Sequence, residues 1–237
     1  MSQSKLKVEL ISHTIDPEQV IVASIRQCYS KVSAAELKEK TNEETKQRLI
    51  NQIVKSGHTS TIEHASFTFA IEGVSRAATH QLVRHRIASY SQQSQRYVKA
   101  GEDFDYILPP SIEKDDKTKE IYENSIKTIQ KAYRDLIEAG IEKEDARFLL
   151  PNAAETKIVV TMNARSLLHF FEKRLCTRAQ WEIRILAAKM LALVKPIAPD
   201  IFTHAGASCQ SEKICWEGDM SCGMWENIEG AELRERV

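Results

Sequence analysis

Alternation of apolar and polar side chains marks residues 66–71 as a half-buried strand, with Phe67, Phe69 and Ile71 on one face and Ser66, Thr68 and Ala70 on the other. Residues 7–11 read as a short strand, and residues 156–162, rich in Val, Ile and Thr, as another. Gly73 is expected to end the strand at 66–71, and residues 74–83 fit a short helix that carries Gln81 and Arg84 to its C-terminal end. The polar run 89–95 has no apolar period and reads as a loop.

Helical spacing accounts for most of the remainder. Asp16-Pro17-Glu18 has the form of a helix start, with Asp as N-cap and Pro in the first turn, followed by a face of Val20, Ile21, Ser24, Ile25 and Cys28. Thr41-Asn42-Glu43-Glu44 resembles a capping box opening a helix with Leu49, Ile50, Ile53 and Val54, which Gly57 ends. After Pro109-Pro110, a long helix is expected over 116–139, because Tyr122, Ile126, Ile129, Tyr133 and Leu136 recur at four-three spacing before Gly140. Asn163 is an expected N-cap, and residues 177–194 form a helix expected to bury Trp181, Ile185, Ala188 and Leu191 before Pro196 stops it. The class that follows is α+β: a mixed or antiparallel central sheet flanked by long helices, in a single domain. The expected division is a catalytic domain over 1–199 and a Cys-containing tail over 200–237, packed on or near that domain.

Composition narrows the function classes. With 42% hydrophobic and 28% charged residues the chain fits a soluble globular protein. No run approaches the roughly 18 apolar residues of a membrane span, and the N-terminus lacks an apolar h-region, so the expected compartment is cytoplasmic with no membrane partner. Five cysteines, an odd number, do not resemble a secreted disulfide framework. Basic and acidic residues balance at 33 each, yet from Gly73 to Gly101 there is no Asp or Glu, while Arg76, Arg84, Arg86, Arg96 and Lys99 all fall there. Guanidinium groups so collected repel one another unless an anion joins them, and the planar Arg fork suits phosphate. On charge alone, a solvated basic loop explains the window equally well. A nucleic-acid-binding module fits less, because the net charge is zero and no Arg/Lys-rich helix is present.

Other constellations are open to more than one reading. His58, Glu63 and His64 could hold a metal for hydrolysis, but the histidines are six apart and fall on different helical faces; capping of a turn is the alternative. Glu144 and Arg147 could pair at i, i+3. Arg165 and His169 share a helical face at i, i+4. Ser94 with His85 as base would form a nucleophile pair, although no nearby acid orients the histidine. His204, Cys209, Cys215 and Cys222 could bind zinc, but their spacings are not the tight pairs of zinc ribbons; a covering tail with incidental thiols is the preferred reading, and no metal is assigned.

The order Arg84-His85-Arg86, seven further residues, then Ser94 resembles the signature of the flavin-dependent thymidylate synthases, and Arg96-Tyr97 looks like its continuation. The stretch His58-x-Ser60-x-x-Glu63-His64, the Asn163-x-Arg165-Ser-Leu pattern, and Arg174 with Ala179-Gln-Trp-Glu-Ile183 are similar to further family features. The resemblance implies reductive methylation of dUMP to dTMP, with methylenetetrahydrofolate supplying the carbon, FAD carrying the hydride and NADPH reducing the flavin, in a homotetramer. No Gly-x-Gly-x-x-Gly is present to hold a dinucleotide in the Rossmann manner. By the resemblance, Gln81, Ser94, Arg96 and Arg147 hold the dUMP phosphate and sugar, with Leu82, Val83, Gln92, Gln93 and Gln95 adjoining. His58, Ser60, His85, Arg86, Gln92, Asn163, Arg165 and His169 lie on FAD, and Arg84 stands between the two ligands. Arg174 is the implied catalytic cation, contacting the uracil. The chain departs from the commoner family pattern at Ser91 and Gln92 (Asn and Glu), Gln95 (Gly) and His169 (Asn).

Overall fold

The computed structural model describes residues 2–39, 41–97 and 104–235; Lys99 and Gly101, at the far end of the acid-free window, lie outside them. Four strands, β1 (Lys7–His13), β2 (Ser66–Ser75), β3 (Ser89–Gln92) and β4 (Glu155–Asn163), form an antiparallel sheet in the order β1-β2-β4-β3. The α+β class read from the sequence is therefore the one found. Alternation sets the inward faces of the two central strands: Phe67, Phe69 and Ile71 on β2, and Ile158, Val160 and Met162 on β4, are all at most 2% exposed.

Two differences in this sheet have local causes. β2 does not stop at Gly73 but runs through it to Ser75, because the glycine adopts φ 66° within the strand. A Cβ at Gly73 would stand 2.1 Å from the Lys5 carbonyl oxygen, so the backbone approaches as closely as only glycine permits. Residues 89–92 are a strand rather than a loop. β3 is an edge strand, so backbone pairing holds it without an apolar face, and the Gln93 N–H extends that pairing to the Lys157 carbonyl at 2.9 Å.

The chain forms two compact units. The first comprises residues 1–7, 70–84 and 90–159. It contains α4 (Arg76–Leu82), α5 (Pro110–Glu113), α6 (Asp116–Glu138) and α7 (Lys143–Ala146). Its apolar cluster joins Phe104, Tyr106, Leu108 and Ala154 to Ile126 of α6. Asp115 caps α6 through Thr118 N at 3.0 Å, and Gly140 follows its end at φ 87°.

The second unit comprises residues 8–69, 85–89 and 160–237. Here α1 (Pro17–Gln27), α2 (Ala34–Glu39), α3 (Glu43–Ser56), α8 (Ala164–Arg174) and α9 (Trp181–Val194) are followed by the one-turn helices α10 (Pro199–Phe202) and α11 (Ser208–Ser211) and by a parallel pair of two-residue strands, β5 (Ile214–Cys215) and β6 (Glu232–Leu233). Phe67, Phe171 and Phe202 meet edge-on at 5.6 and 6.0 Å in its core. Asp16 precedes α1 but makes no side-chain cap, because its backbone is left-handed at φ 48° ahead of Pro17. Asn42, not Thr41, caps α3, accepting from Thr45 N at 2.9 Å. The Thr41 hydroxyl instead donates to the Leu37 carbonyl of α2, a helix that the sequence pattern did not reveal.

Helix α9 buries Ile183, Leu186, Ala187, Met190 and Val194, whereas Ile185 of the expected stripe is 41% exposed. Apolar residues surround this helix on nearly every side, so its period could not determine which face turns inward.

Gly73→Ala should destabilise the fold by more than ~2 kcal/mol, the left-handed penalty plus a backbone collision. Gly140→Ala, with a similar φ but nothing within 4 Å of the added Cβ, should lose only about 1 kcal/mol. Urea titration of the two variants measures the difference.

Candidate functional site

Helix α4 and strand β3 place the first group of site residues, all within the first unit. Ser75 caps α4 through Ala78 N at 3.0 Å, fixing the helix that leads to Gln81 and Arg84. The Tyr90 hydroxyl donates to the Leu82 carbonyl at 2.9 Å, and burial pushes that phenol up to about 12, so it remains a donor. Leu82 is fully buried, Gln81 half-buried, and Val83 and Arg84 exposed. Gln92 donates to the hydroxyls of Thr79 (3.0 Å) and Thr156 (3.4 Å). Those bonds use its amide N–H groups, which a carboxylate could not supply, so Gln at this position has a structural role of its own.

Arg76, Arg96 and Arg147 of this unit each have a protein hydrogen-bond or ion-pair partner. Arg96 pairs with the Glu144 carboxylate at 2.7 Å and lies over the Tyr97 ring at 5.6 Å, while its backbone N–H reaches Ser94 Oγ at 3.1 Å. Arg147 Nε donates to the Glu144 carbonyl at 3.0 Å, so the i, i+3 relation is a side-chain-to-backbone bond and the carboxylate serves Arg96. Arg76, present in the basic window but not singled out from sequence, holds the Gln93 carbonyl through Nη2 at 2.7 Å. Its Nε is buried without a hydrogen-bond partner, and burial together with the Arg147 charge lowers its guanidinium pKa. Arg76, Gln93, Ser94 and Gln95 line one cavity of about 150 Å3.

A second group lies in the other unit and is built on α8. Asn163 caps that helix, its Oδ1 accepting from Ser166 N at 2.9 Å. Arg165 and His169 follow on α8, both exposed, and Arg165 meets Glu63 at 2.5 Å. His169 Nδ1 stands 3.8 Å from the Glu172 carboxylate. His58 and His64 bracket the 3-10 turn Thr59–His64, and His58 Nδ1 contacts Ser56 Oγ at 3.3 Å; Ser60 is exposed. Engagement of Glu63 by Arg165 takes away the acid on which a hydrolytic metal reading depended.

At the end of α8, Arg174 Nε donates to His85 Nε2 at 3.0 Å. The acceptor nitrogen must be unprotonated, so His85 is neutral with its hydrogen on Nδ1. Burial, then the charge of Arg174 and then His169, lower its pKa to about 4. Phe170 packs edge-on against the imidazole at 5.0 Å and His169 at 5.9 Å. With its accepting nitrogen engaged, His85 has no lone pair for a serine hydroxyl, which removes the nucleophile reading of Ser94. Arg86 is exposed and pairs with no described acid.

Comparison with known proteins adds to this geometry. The family model described as "Thymidylate synthase complementing protein" matches residues 9–200. A flavin-dependent thymidylate synthase of Geobacter sulfurreducens is 53% identical over 219 residues, 92% of this chain and 94% of its own. Its namesake in Clostridium tetani is 50% identical, over 92% and 93% of the two chains. The chain belongs to the flavin-dependent thymidylate synthase family. The fold of this family member is also shared by a solved structure, the UMP/dUMP methylase PolB from Streptomyces cacaoi bound with 5-Br dUMP, at TM-score 0.76 and 24% identity over 86% of this chain and 97% of that one.

The neutral His85 gives a pH signature. Its contribution to stability is complete above pH ~6.5, the unfolded value, declines as the unfolded chain takes up a proton, and is gone below about pH 4. Denaturation of wild type and His85→Gln between pH 4 and 7 should show the wild type losing more stability toward acid. NMR titration of His85 should give a pKa near 4, rising in Arg174→Ala.

Proposed function

We propose that this enzyme methylates dUMP to dTMP, taking the carbon from methylenetetrahydrofolate and the electrons from NADPH through bound FAD, as a cytoplasmic homotetramer. The observation that carries the reading is the 3.0 Å bond from Arg174 to a neutral His85. That bond orients one edge of the guanidinium through Nε. A cation held this way beside a uracil carbonyl and N3 stabilises the polarised ring in which C5 is nucleophilic, and such preorganised charge is a large catalytic contribution. Arg174 is thus the catalytic residue.

Two sets of donors support two phosphorylated ligands. Ser94, Arg96 and Arg147 hold the dUMP phosphate and sugar, with Gln81, Leu82, Val83, Arg84, Gln93 and Gln95 adjoining. Arg76 belongs with them, because its Nε–H is a buried donor with no protein acceptor. The residues around α8 fit a flavin nucleotide: exposed Arg86, Arg165 and His169 offer charge and hydrogen bonds to phosphate, and His85 presents a neutral ring backed by Phe170. Asn163, His58, Ser60, Gln92 and Arg84 complete the flavin side. FAD, when bound, supplies the hydride; the protein orients the partners and polarises the pyrimidine. Large exposed apolar side chains such as Tyr29, Phe148 and Ile185 support association with further copies. Among the described residues, no helix is long and apolar enough to cross a membrane.

The purified enzyme should show a flavin spectrum, or acquire one with FAD, and should release tritium from C5-labelled dUMP only when methylenetetrahydrofolate and NADPH are present. A colourless protein that neither binds FAD nor releases tritium contradicts the reading. Arg174→Ala should keep its flavin and lose turnover by roughly 10²–10³-fold; near-normal turnover removes the role given to Arg174.

A further inference from the structure

Four of the five cysteines converge in a part of the second unit that this chemistry does not use. Cys176 lies in the turn between α8 and α9, Cys209 in α11, Cys215 in β5, and Cys222 between the 3-10 turns Gly218–Met220 and Met224–Asn227. All four line one cavity of about 80 Å3, and none of them forms a disulfide. The fifth, Cys28, is exposed on the residue that caps α1 and lines no part of it.

From these placements we infer that Cys176, Cys209, Cys215 and Cys222 form a tetrathiolate site for a single soft cation of the zinc class. Four thiols from four separate segments supply the full coordination number of a closed structural site, in which each Zn–S bond is about 2.3 Å. A disulfide scheme would use the thiols in pairs and gives no reason for four to share one cavity. Among the described residues, no group of three or more His, Cys, Asp or Glu side chains is already placed to hold a metal ion, so in this proposal the thiols close around the ion as it binds.

The surrounding structure supplies an independent reason for such an ion. From residue 203 to 235 the chain has a one-turn helix, a pair of two-residue strands and two 3-10 turns of three and four residues. In that stretch only Gly206, Ala207, Cys215 and Gly218 are buried among the described residues. A segment with so little apolar burial has little core of its own, and a metal bound between it and the turn after α8 would add to the packing that holds it. The family match also ends at residue 200, before this segment begins.

Metal binding by thiols releases their protons, so the ion would hold all four as thiolates. The bound ion would join the tail to the turn that follows Arg174.

The test uses the full-length protein, reduced, exposed to zinc and then dialysed. One zinc per chain should remain by elemental analysis. Native titration with a thiol reagent should find one rapidly reactive cysteine, Cys28, and a strong chelator should restore four more. Cobalt in place of zinc should give the intense red-region bands of tetrahedral cobalt thiolate, away from flavin absorption. Cys215→Ser and Cys222→Ser should weaken the ion by more than about 100-fold, since even outer-shell partners are worth ten to a hundred; Cys28→Ser should bind normally. Retention of under roughly 0.1 zinc per chain, equal thiol reactivity with and without zinc, or disulfides among these four in metal-free protein would each overturn the proposal. The wild-type thiol and zinc measurements decide the matter even if a variant fails to fold.

Discussion

Burial of one face each of β2 and β4 is the constraint on which the rest of the structure depends. Phe67, Phe69 and Ile71, with Ile158, Val160 and Met162, are withdrawn almost wholly from water. Each such side chain contributes about 1.5–3 kcal/mol relative to exposure, and a slip by one residue would turn the whole set outward. Register is therefore not adjustable. Both strands pass directly into capped helices, β2 through Ser75 into α4 and β4 through Asn163 into α8. Fixing the strands thus fixes where each helix begins, and Arg84, Arg165, His169 and Arg174 follow from those helices by count.

Charge is handled by distant segments rather than by the local sequence. The window from Gly73 to Gly101 contains no acid, yet Arg96 finds Glu144 in α7. Arg165 on α8 likewise finds Glu63 in the turn before β2. These exposed pairs are each worth no more than about 1 kcal/mol, so their effect is orientation rather than stability. Arg174 differs in kind. Its described partner at Nε is a neutral imidazole rather than a carboxylate.

His85 and the cysteine cluster both show burial choosing a protonation state. Around His85 burial disfavours the cation, and the tautomer then follows from Arg174 as donor. Around Cys176 and Cys209 the same penalty falls on the thiolate. Neither effect is a property of the residue type.

Local periodicity was enough for the two central strands, for α6 with its five apolar positions, for the Asn163 cap and for the Arg-His-Arg spacing, because each is set by residues within a few positions of one another. Periodicity failed where the answer depended on a partner. An edge strand such as β3 needs only a neighbour's backbone; α9 is apolar nearly all round; and Thr41 turned to α2 instead of α3. The Arg174–His85 bond spans 89 positions, and Cys176 joins Cys209, Cys215 and Cys222 from outside the tail that holds them. Sequence determined which groups are available and the spacing at which strands and helices present them. Only tertiary structure decided which of those groups meet, because contact between remote residues is settled by the burial of faces that no single segment can bury alone.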